Sequence, residues 1–234
     1  MLTDDLLALQ DTDSAIDQLT NRRGRLPERE SAATADTALT AADRRRAAIV
    51  ARDGELDESI ANLEAEGARL RAQRTRLEGQ MRTVTSTRQA EALQHELDAL
   101  AGHQDELDDQ ELAHLDEQGA LQAELADIDA GRPALAAAAE EAAAVLAAAE
   151  GVMDAERANL ATAREDVAGR IEAGELDRYE RLRVRFGGVA VARLDGARCT
   201  GCHLDLSTAE LGAARATPAG EFAACPHCGR LLVP

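Results

Sequence analysis

Apolar residues recur every seven positions along most of this 234-residue chain. The repeat runs through Leu2, Leu9 and Ile16; Ile49, Leu56, Leu63, Leu70, Leu77 and Val84; Leu93, Leu100, Leu107, Leu121, Ile128 and Leu135, with His114 as a polar member; and Leu146, Met153, Leu160 and Val167. A seven-residue spacing keeps one stripe facing a partner helix in a left-handed supercoil. The pattern therefore predicts coiled-coil helix from residue 1 to about residue 175.

The repeat is broken between residues 82 and 88, where three threonines and a serine stand within five positions. These residues favour caps and turns, and Ser86 or Thr87 can cap a helix that starts near Arg88. Similar helical patterns on both sides predict an antiparallel hairpin, with arms about 110 Å long at 1.5 Å per residue. Helix-breaking residues at 21–27 and 131–133 predict kinks or interruptions in the arms.

A different pattern follows Glu175. Residues 179–186 continue a helix that Gly187-Gly188 is expected to end, and residues 189–194 alternate like a strand. Asp195-Gly196 indicates a turn, and Ser207 with Glu210 has the spacing of a capping box. Residues 230–233 indicate a second short strand.

Four cysteines lie in this tail as two Cys-x-x-Cys pairs, Cys199 with Cys202 and Cys225 with Cys228, and the chain has no others. Two such pairs bring four thiolates within reach of one tetrahedral Zn²⁺. A redox motif accounts for one pair only, and two disulfides are typical of secreted chains, which the acidic N-terminus does not indicate. His203 and His227 are neighbours that could replace a ligand, but four thiolates already fill a structural site.

Composition limits the rest of the chain. Aromatic residues make up 1% and charged residues 30%, which is typical of long helices and not of a large globular core. No apolar run reaches the length needed to span a bilayer. We therefore expect a soluble, cytoplasmic protein with reduced thiols.

The net charge of −18 is unevenly distributed. Residues 181–234 carry seven arginines against four acids, and residues 69–88 carry six arginines against Glu78 alone. Two basic segments thus interrupt an acidic chain, and such asymmetry is informative about binding partners.

Three segments together resemble a known family: Val84–Leu97 at the turn, Arg198–Leu206 and Cys225–Leu232. The chain is similar there to bacterial coiled-coil hairpin proteins with a C-terminal C4-type zinc ribbon. The resemblance implies a mainly α fold, with a long antiparallel coiled-coil hairpin over residues 1–178 and a small zinc-ribbon domain over 179–234. It also implies the general label of nucleic-acid binding, although some relatives look like protein adaptors in transcription or in secretion of flagellar and injectisome components.

Two functional hypotheses follow, and neither is enzymatic, because the sequence has no phosphate-binding loop, nucleophile elbow or open metal site. The first is binding of RNA or DNA through arginines of the ribbon and the turn: Arg181, Arg183, Arg185, Arg193, Arg198 and Arg230, with Arg74, Arg76, Arg82 and Arg88. The alternative is a protein–protein adaptor in transcription, translation or secretion assemblies. We expect one structural Zn²⁺ and no membrane or small-molecule partner.

Overall fold

The computed structural model describes residues 2–218 and 222–233 and, at its N-terminus, the backbone of Leu2 without its side chain. The elements in chain order are α1 (Leu2–Gly24), α2 (Pro27–Met81), α3 (Thr87–Ala168), α4 (Ala173–Arg185), β1 (Val191–Asp195), β2 (Arg198–Cys199), α5 (Thr208–Arg215), β3 (Ala223–Ala224) and β4 (Leu231–Val233). The side chain of Leu2, first in the heptad series, and the acid Glu221 lie outside the described residues. The predicted mainly α fold with a C-terminal ribbon is confirmed.

The chain divides into two compact units: residues 32–142, called the hairpin unit, and residues 1–31 with 143–234, called the ribbon unit. In the hairpin unit, α2 and α3 run antiparallel. Arg45 pairs with Glu124, and seven residues later Arg52 pairs with Glu117, which lies seven residues earlier. This opposite progression confirms the predicted hairpin, and the turn at residues 82–86 is where the sequence places it.

The heptad positions form the buried seam of the hairpin unit. Ile49 and Leu56 are each 1% exposed, and Leu77 and Leu107 are 5% exposed. The other α2 and α3 heptad members in this unit, including His114, are half-buried. Val84, the last residue of the α2 heptad series, does not lie on a helix but in the turn between α2 and α3.

The predicted breaks have different outcomes. α1 ends at Gly24 and α2 begins with Pro27, where the missing N–H costs nothing at the first helical position. α3 continues without interruption through Pro133. A further break, which the sequence pattern did not indicate, lies at residues 169–172 between α3 and α4.

The predicted end of the next helix is confirmed. α4 ends in a Schellman motif, with Gly187 and Gly188 at positive φ and their N–H groups donating to the carbonyls of Val184 and Arg183.

The ribbon is a four-stranded sheet in the order β2-β1-β4-β3. β1 pairs antiparallel with β2 and parallel with β4, so Val191 lies opposite Leu231. The sequence predicted β1 and β4 but not the two-residue strands β2 and β3. The capping box at α5 is confirmed, with Ser207 and Glu210 each accepting a hydrogen bond from the other's backbone N–H.

The main hydrophobic core of the ribbon unit joins distant parts of the chain. Leu6 and Leu9 of α1, Tyr179 of α4, Ala190 and Leu231 are all fully buried in one cluster. A second cluster lies around the cysteines and includes Leu206, Ala214 and Leu232. None of the helices in residues 2–218 and 222–233 contains an apolar stretch that could span a lipid bilayer.

Candidate metal centre and nucleic-acid interface

Two tight turns present the four cysteines. The first follows β2, and the second lies between β3 and β4, with Pro226 in its first half and Gly229 at φ 76° where the chain leaves it. The Gly229 N–H donates to the Cys225 carbonyl at 2.8 Å, and His203 N–H donates to that of Cys199 at the same distance. Gly229 and His203 both adopt a positive φ, as tight turns of this kind require.

The four sulfur atoms have the geometry of a metal site. They lie within 4.8 Å of one another, and Cys202 Sγ is 3.8 Å from Cys225 Sγ. Four ligands at about 2.3 Å around a tetrahedral Zn²⁺ stand roughly 3.8 Å apart. The residues therefore fit one structural Zn²⁺ with no open position for water.

A cation at this site has to displace the thiol protons. Burial raises the pKa of Cys199 and raises that of Cys225 to about 12, whereas at Cys228 burial is outweighed by hydrogen bonds from Arg230 and the neighbouring thiols, which lower the pKa to about 7. Backbone N–H groups of residues 201, 202, 227 and 228 lower the pKa values of Cys199 and Cys225 only in part. A bound Zn²⁺ supplies the missing charge and holds the sulfurs as thiolates.

Close packing explains a glycine in the first turn. A Cβ on Gly201 would stand 2.6 Å from Cδ of Arg230 and 3.0 Å from Cβ of Ala192. The turn can therefore approach β1 and the Arg230 side chain only because residue 201 lacks a side chain.

Two of the predicted nucleic-acid arginines stack on one ring. The guanidinium carbons of Arg185 and Arg230 lie 5.3 and 4.8 Å from the centroid of Phe186. Arg230 is half-buried and also donates to the Val189 carbonyl at 2.9 Å. Cation–π contacts therefore link the end of α4 to the second cysteine turn.

Arg183 lies in a polar network that the sequence did not predict. Its guanidinium pairs with Asp17 at 2.8 Å and with the buried Asp13 at 3.5 Å. Asp13 also accepts hydrogen bonds from Arg164 at 2.6 Å and from the Tyr179 hydroxyl at 2.7 Å. The Arg183 side chain, 23% exposed, thus contacts carboxylates of α1.

The other ribbon arginines remain exposed. Arg181 is 71% exposed beside Asp177 at 3.7 Å, and Arg193 is 60% exposed beside Asp11 at 3.3 Å. Arg198 donates from Nε to the His203 carbonyl at 2.8 Å and is also exposed. Surface pairs of this kind are weak and open to competition by phosphate.

Most arginines near the turn of the hairpin unit form no ion pair with a described carboxylate, in contrast to most of those further from the turn. Arg74 pairs with Glu78, the single acid of residues 69–88, at 2.9 Å. The remaining five are exposed, and none has a carboxylate of the described residues within 4.0 Å. We call these five the tip patch: Arg69, Arg71, Arg76, Arg82 and Arg88.

Gln10, which no sequence pattern indicated, connects α1 to the ribbon. Its Oε1 accepts hydrogen bonds from the N–H groups of Ala190 and Val191 at 2.7 and 3.2 Å, and its Nε2 donates to the Gly188 carbonyl at 2.8 Å. Gln10 and Asp13 are 5% and 2% exposed. In the sequence, the position of Gln10 and Asp13 next to the apolar stripe of α1 was the one indication that these polar side chains are buried.

The fold and the cysteine site define a class of protein, a helical hairpin that carries a C4 zinc ribbon. Comparison with known families agrees. The model of the CT398-like coiled coil hairpin domain matches residues 9–187, and that of the C4-type zinc ribbon domain matches residues 198–232. The chain belongs to the CT398-like coiled coil hairpin family.

Relatives cover nearly the whole chain. An uncharacterized protein of Mycobacterium tuberculosis, MT2288, is 29% identical over 97% of this chain and 93% of its own length. CT398 from Chlamydia trachomatis has a similar structure, with a TM-score of 0.83 at 20% identity over 99% of this chain and 98% of its own. A protein from Mycobacterium smegmatis matches with a TM-score of 0.73 at 24% identity, over 98% and 97% of the two chains.

Proposed function

We propose that this protein is a non-enzymatic, cytoplasmic nucleic-acid-binding protein that contacts RNA or DNA through exposed arginines of the ribbon and of the hairpin turn. One observation carries the proposal. In a chain of net charge −18, the tip patch groups five guanidinium side chains that have no acidic partner in the part of the chain that the structure describes. The four thiols, which need a reducing compartment, support the location.

The role of zinc in this proposal is structural. The four-thiolate site holds the two turns together and thereby fixes β1, β2 and β4. Arg198 at the first turn and Arg230 at the second are positioned by that scaffold. Removal of zinc is then expected to abolish binding by the ribbon without affecting the hairpin unit.

Binding can be measured by fluorescence anisotropy with labelled 20-base-pair RNA and DNA over a range of salt concentrations. We expect affinity to fall linearly with the logarithm of salt, because phosphate contacts release counterions. In the ribbon variant, Arg181, Arg185 and Arg198 are changed to Gln. In the matched control, Arg45, Arg46 and Arg52, which pair with acids in the hairpin unit, are changed to Gln.

The expected result is weaker binding by the ribbon variant than by the control, which carries the same change in charge. Absence of binding to any probe at 20 mM salt, or binding that does not respond to salt, would contradict the proposal.

A groove at the turn supports the adaptor role as a second candidate. It has a volume of about 450 Å³, and Val84, Ala92 and Leu93 contribute its apolar lining. Affinity capture from a native lysate, split into nuclease-treated and untreated halves, separates the two roles. One protein that is retained after nuclease treatment and lost in a Leu93→Asp variant would favour the adaptor.

A further inference from the structure

We propose that the tip patch binds the phosphate backbone of double-stranded nucleic acid, and that it does so without reading bases. This inference rests on the proposed function and makes it more specific. It assigns a position, the hairpin turn, and a class of ligand, a duplex.

Within residues 2–218 and 222–233, no carboxylate lies within 4.0 Å of a tip-patch guanidinium, and this distinguishes the tip patch, because exposure alone does not. Four other arginines of the hairpin unit are also 44–54% exposed, yet each pairs with an acid at 2.5–2.8 Å. They are Arg45, Arg46, Arg52 and Arg132. Arg74 pairs with Glu78 at 2.9 Å, so apart from the tip patch Arg44 is the one arginine of residues 32–142 without an ion pair within 4.0 Å among the described residues. The cations of the tip patch are therefore available to an external anion.

The acids on the facing helix do not neutralise the tip patch directly. Glu91, Glu96 and Asp98 lie in the first turns of α3, and none forms an ion pair within 4.0 Å of a tip-patch guanidinium. Asp98 instead accepts a hydrogen bond from Gln94 at 2.8 Å.

The helical positions of these arginines suit a ligand with two rows of phosphates. Leu70 and Leu77 define the seam side of α2, and Arg69 and Arg76 each precede one of them by a single residue. At 100° per residue they share one flank, about 10 Å apart along the axis, whereas Arg71 lies on the other flank. Arg82 and Arg88 stand at either end of the turn. A duplex presents phosphates on both sides of a groove, and a single strand presents one row.

The aromatic residues of the chain argue against base stacking. Tyr179 and Phe222 are buried at 0% and 9% exposure, and Phe186 is covered by two guanidinium groups. The chain has no other aromatic residue except histidine. Proteins that hold single strands depend on bases stacked on exposed rings. Arginine alone favours phosphate, which is densest along a duplex.

The test compares four 20-nucleotide probes: duplex DNA, duplex RNA and the single strand of each. In the tip variant of the full chain, Arg76, Arg82 and Arg88 are changed to Gln, and the control is again Arg45, Arg46 and Arg52 changed to Gln. We expect at least one duplex to bind about fivefold or more tightly than its single strand. We expect the tip variant to lose about tenfold in affinity for that duplex at low salt, and its slope of log affinity against log salt to fall by roughly 2–3, at about 0.9 per phosphate contact.

Each other outcome overturns a defined part of the argument. Equal or tighter binding of single strands overturns the choice of a duplex. An equal loss of affinity in the tip variant and in the control overturns the choice of the tip patch. A loss of affinity in the ribbon variant alone also overturns that choice, but it leaves the proposed function intact. No binding to any probe overturns the proposed function as well. A protein partner lost from the tip variant, with duplex binding unchanged, assigns the patch to a protein.

Discussion

The ribbon unit and the hairpin unit are stabilised in different ways. In residues 32–142, four large apolar side chains are buried: Ile49, Leu56, Leu77 and Leu107. The rest of that unit relies on half-buried heptad positions and exposed ion pairs. The ribbon unit has a larger hydrophobic core, a site for Zn²⁺, and the buried carboxylate of Asp13, which accepts hydrogen bonds from Arg164 and Tyr179 and pairs with Arg183. The hairpin unit is thus stabilised by many small contributions along its heptad repeat. The ribbon unit is stabilised by a few specific contacts, each of which is expected to contribute more.

Loss of zinc should give the largest difference in stability between the two units. In a variant with Cys225→Ser and Cys228→Ser, we expect residues 191–233 to lose their fold, because structural Zn²⁺ contributes on the order of 10 kcal/mol in apparent terms. The hairpin unit contains no ligand and should keep its helices. Zinc content and hydrogen exchange of the two regions measure this. His227→Ala is the control that keeps zinc, and a double variant that retains zinc and a protected β1 would refute the assignment.

Asp13→Ala should have the next largest effect. It leaves Arg164 and Arg183 without their buried carboxylate, and breaking a buried pair costs about 3–5 kcal/mol. Asp17→Ala removes a partner that is 45% exposed, and surface pairs contribute about 0–1 kcal/mol. Denaturant unfolding of the two variants gives the comparison. Equal midpoints would show that the network of Asp13 does not stabilise the ribbon unit.

Leu56→Ala should destabilise the hairpin unit alone. Leu56 is 1% exposed in the seam, and truncation of a buried leucine costs about 2–5 kcal/mol. Hydrogen exchange should increase around residues 49–128, with zinc content unchanged. Leu112, 59% exposed on α3, is the matched position at which Ala should have little effect. Faster exchange in the ribbon unit as well would show that the units unfold together.

The burial of Tyr179 leads us to expect a smaller effect, a loss of stability of the ribbon unit at alkaline pH. Burial, followed by its hydrogen bond to Asp13, raises the pKa of the phenol above the usual value of about 10. The neutral phenol is therefore favoured in the folded state, so its contribution is complete below about pH 10 and is lost as pH rises further. The loss should approach about 1.4 kcal/mol per pH unit.

Because Tyr179 is the one tyrosine in the chain, absorbance at 295 nm follows it directly. Tyr179→Phe should remove the additional alkaline destabilisation. A folded protein whose phenol titrates near pH 10 would contradict the predicted burial of this proton.

Local patterns made much of this molecule predictable. The seven-residue repeat indicated the seam and the turn, because each position depends on neighbours three to seven residues away. The cysteine spacing indicated the metal site, and Gly187-Gly188 indicated the end of α4, for the same reason. The capping box of Ser207 and Glu210 was predictable as well, because it needs only two residues that lie three positions apart.

Contacts between distant residues were not predictable. Gln10 meets Ala190 and Val191 across 180 and 181 residues, and no spacing rule relates them. The parallel pairing of β1 with β4 joins Val191 to Leu231, which lie far apart in the sequence. Pro133 does not end α3, and two cross-helix ion pairs, Arg132 with Asp43 and Arg46 with Asp129, flank it. Such partners are known only once the helices are packed.

The contacts of Gln10 and Asp13 also determine when α1 can finish folding during synthesis. Their partners in α4 and β1 leave the ribosome about 170–180 residues later, which at roughly 5–20 residues per second is a delay of about 10–35 s. Throughout that time the buried face of α1, with Leu6 and Leu9, has no ribbon to pack against. The nascent chain therefore exposes the apolar face of α1 until the ribbon is synthesised, and a chaperone that recognises such faces would meet this protein before its zinc does.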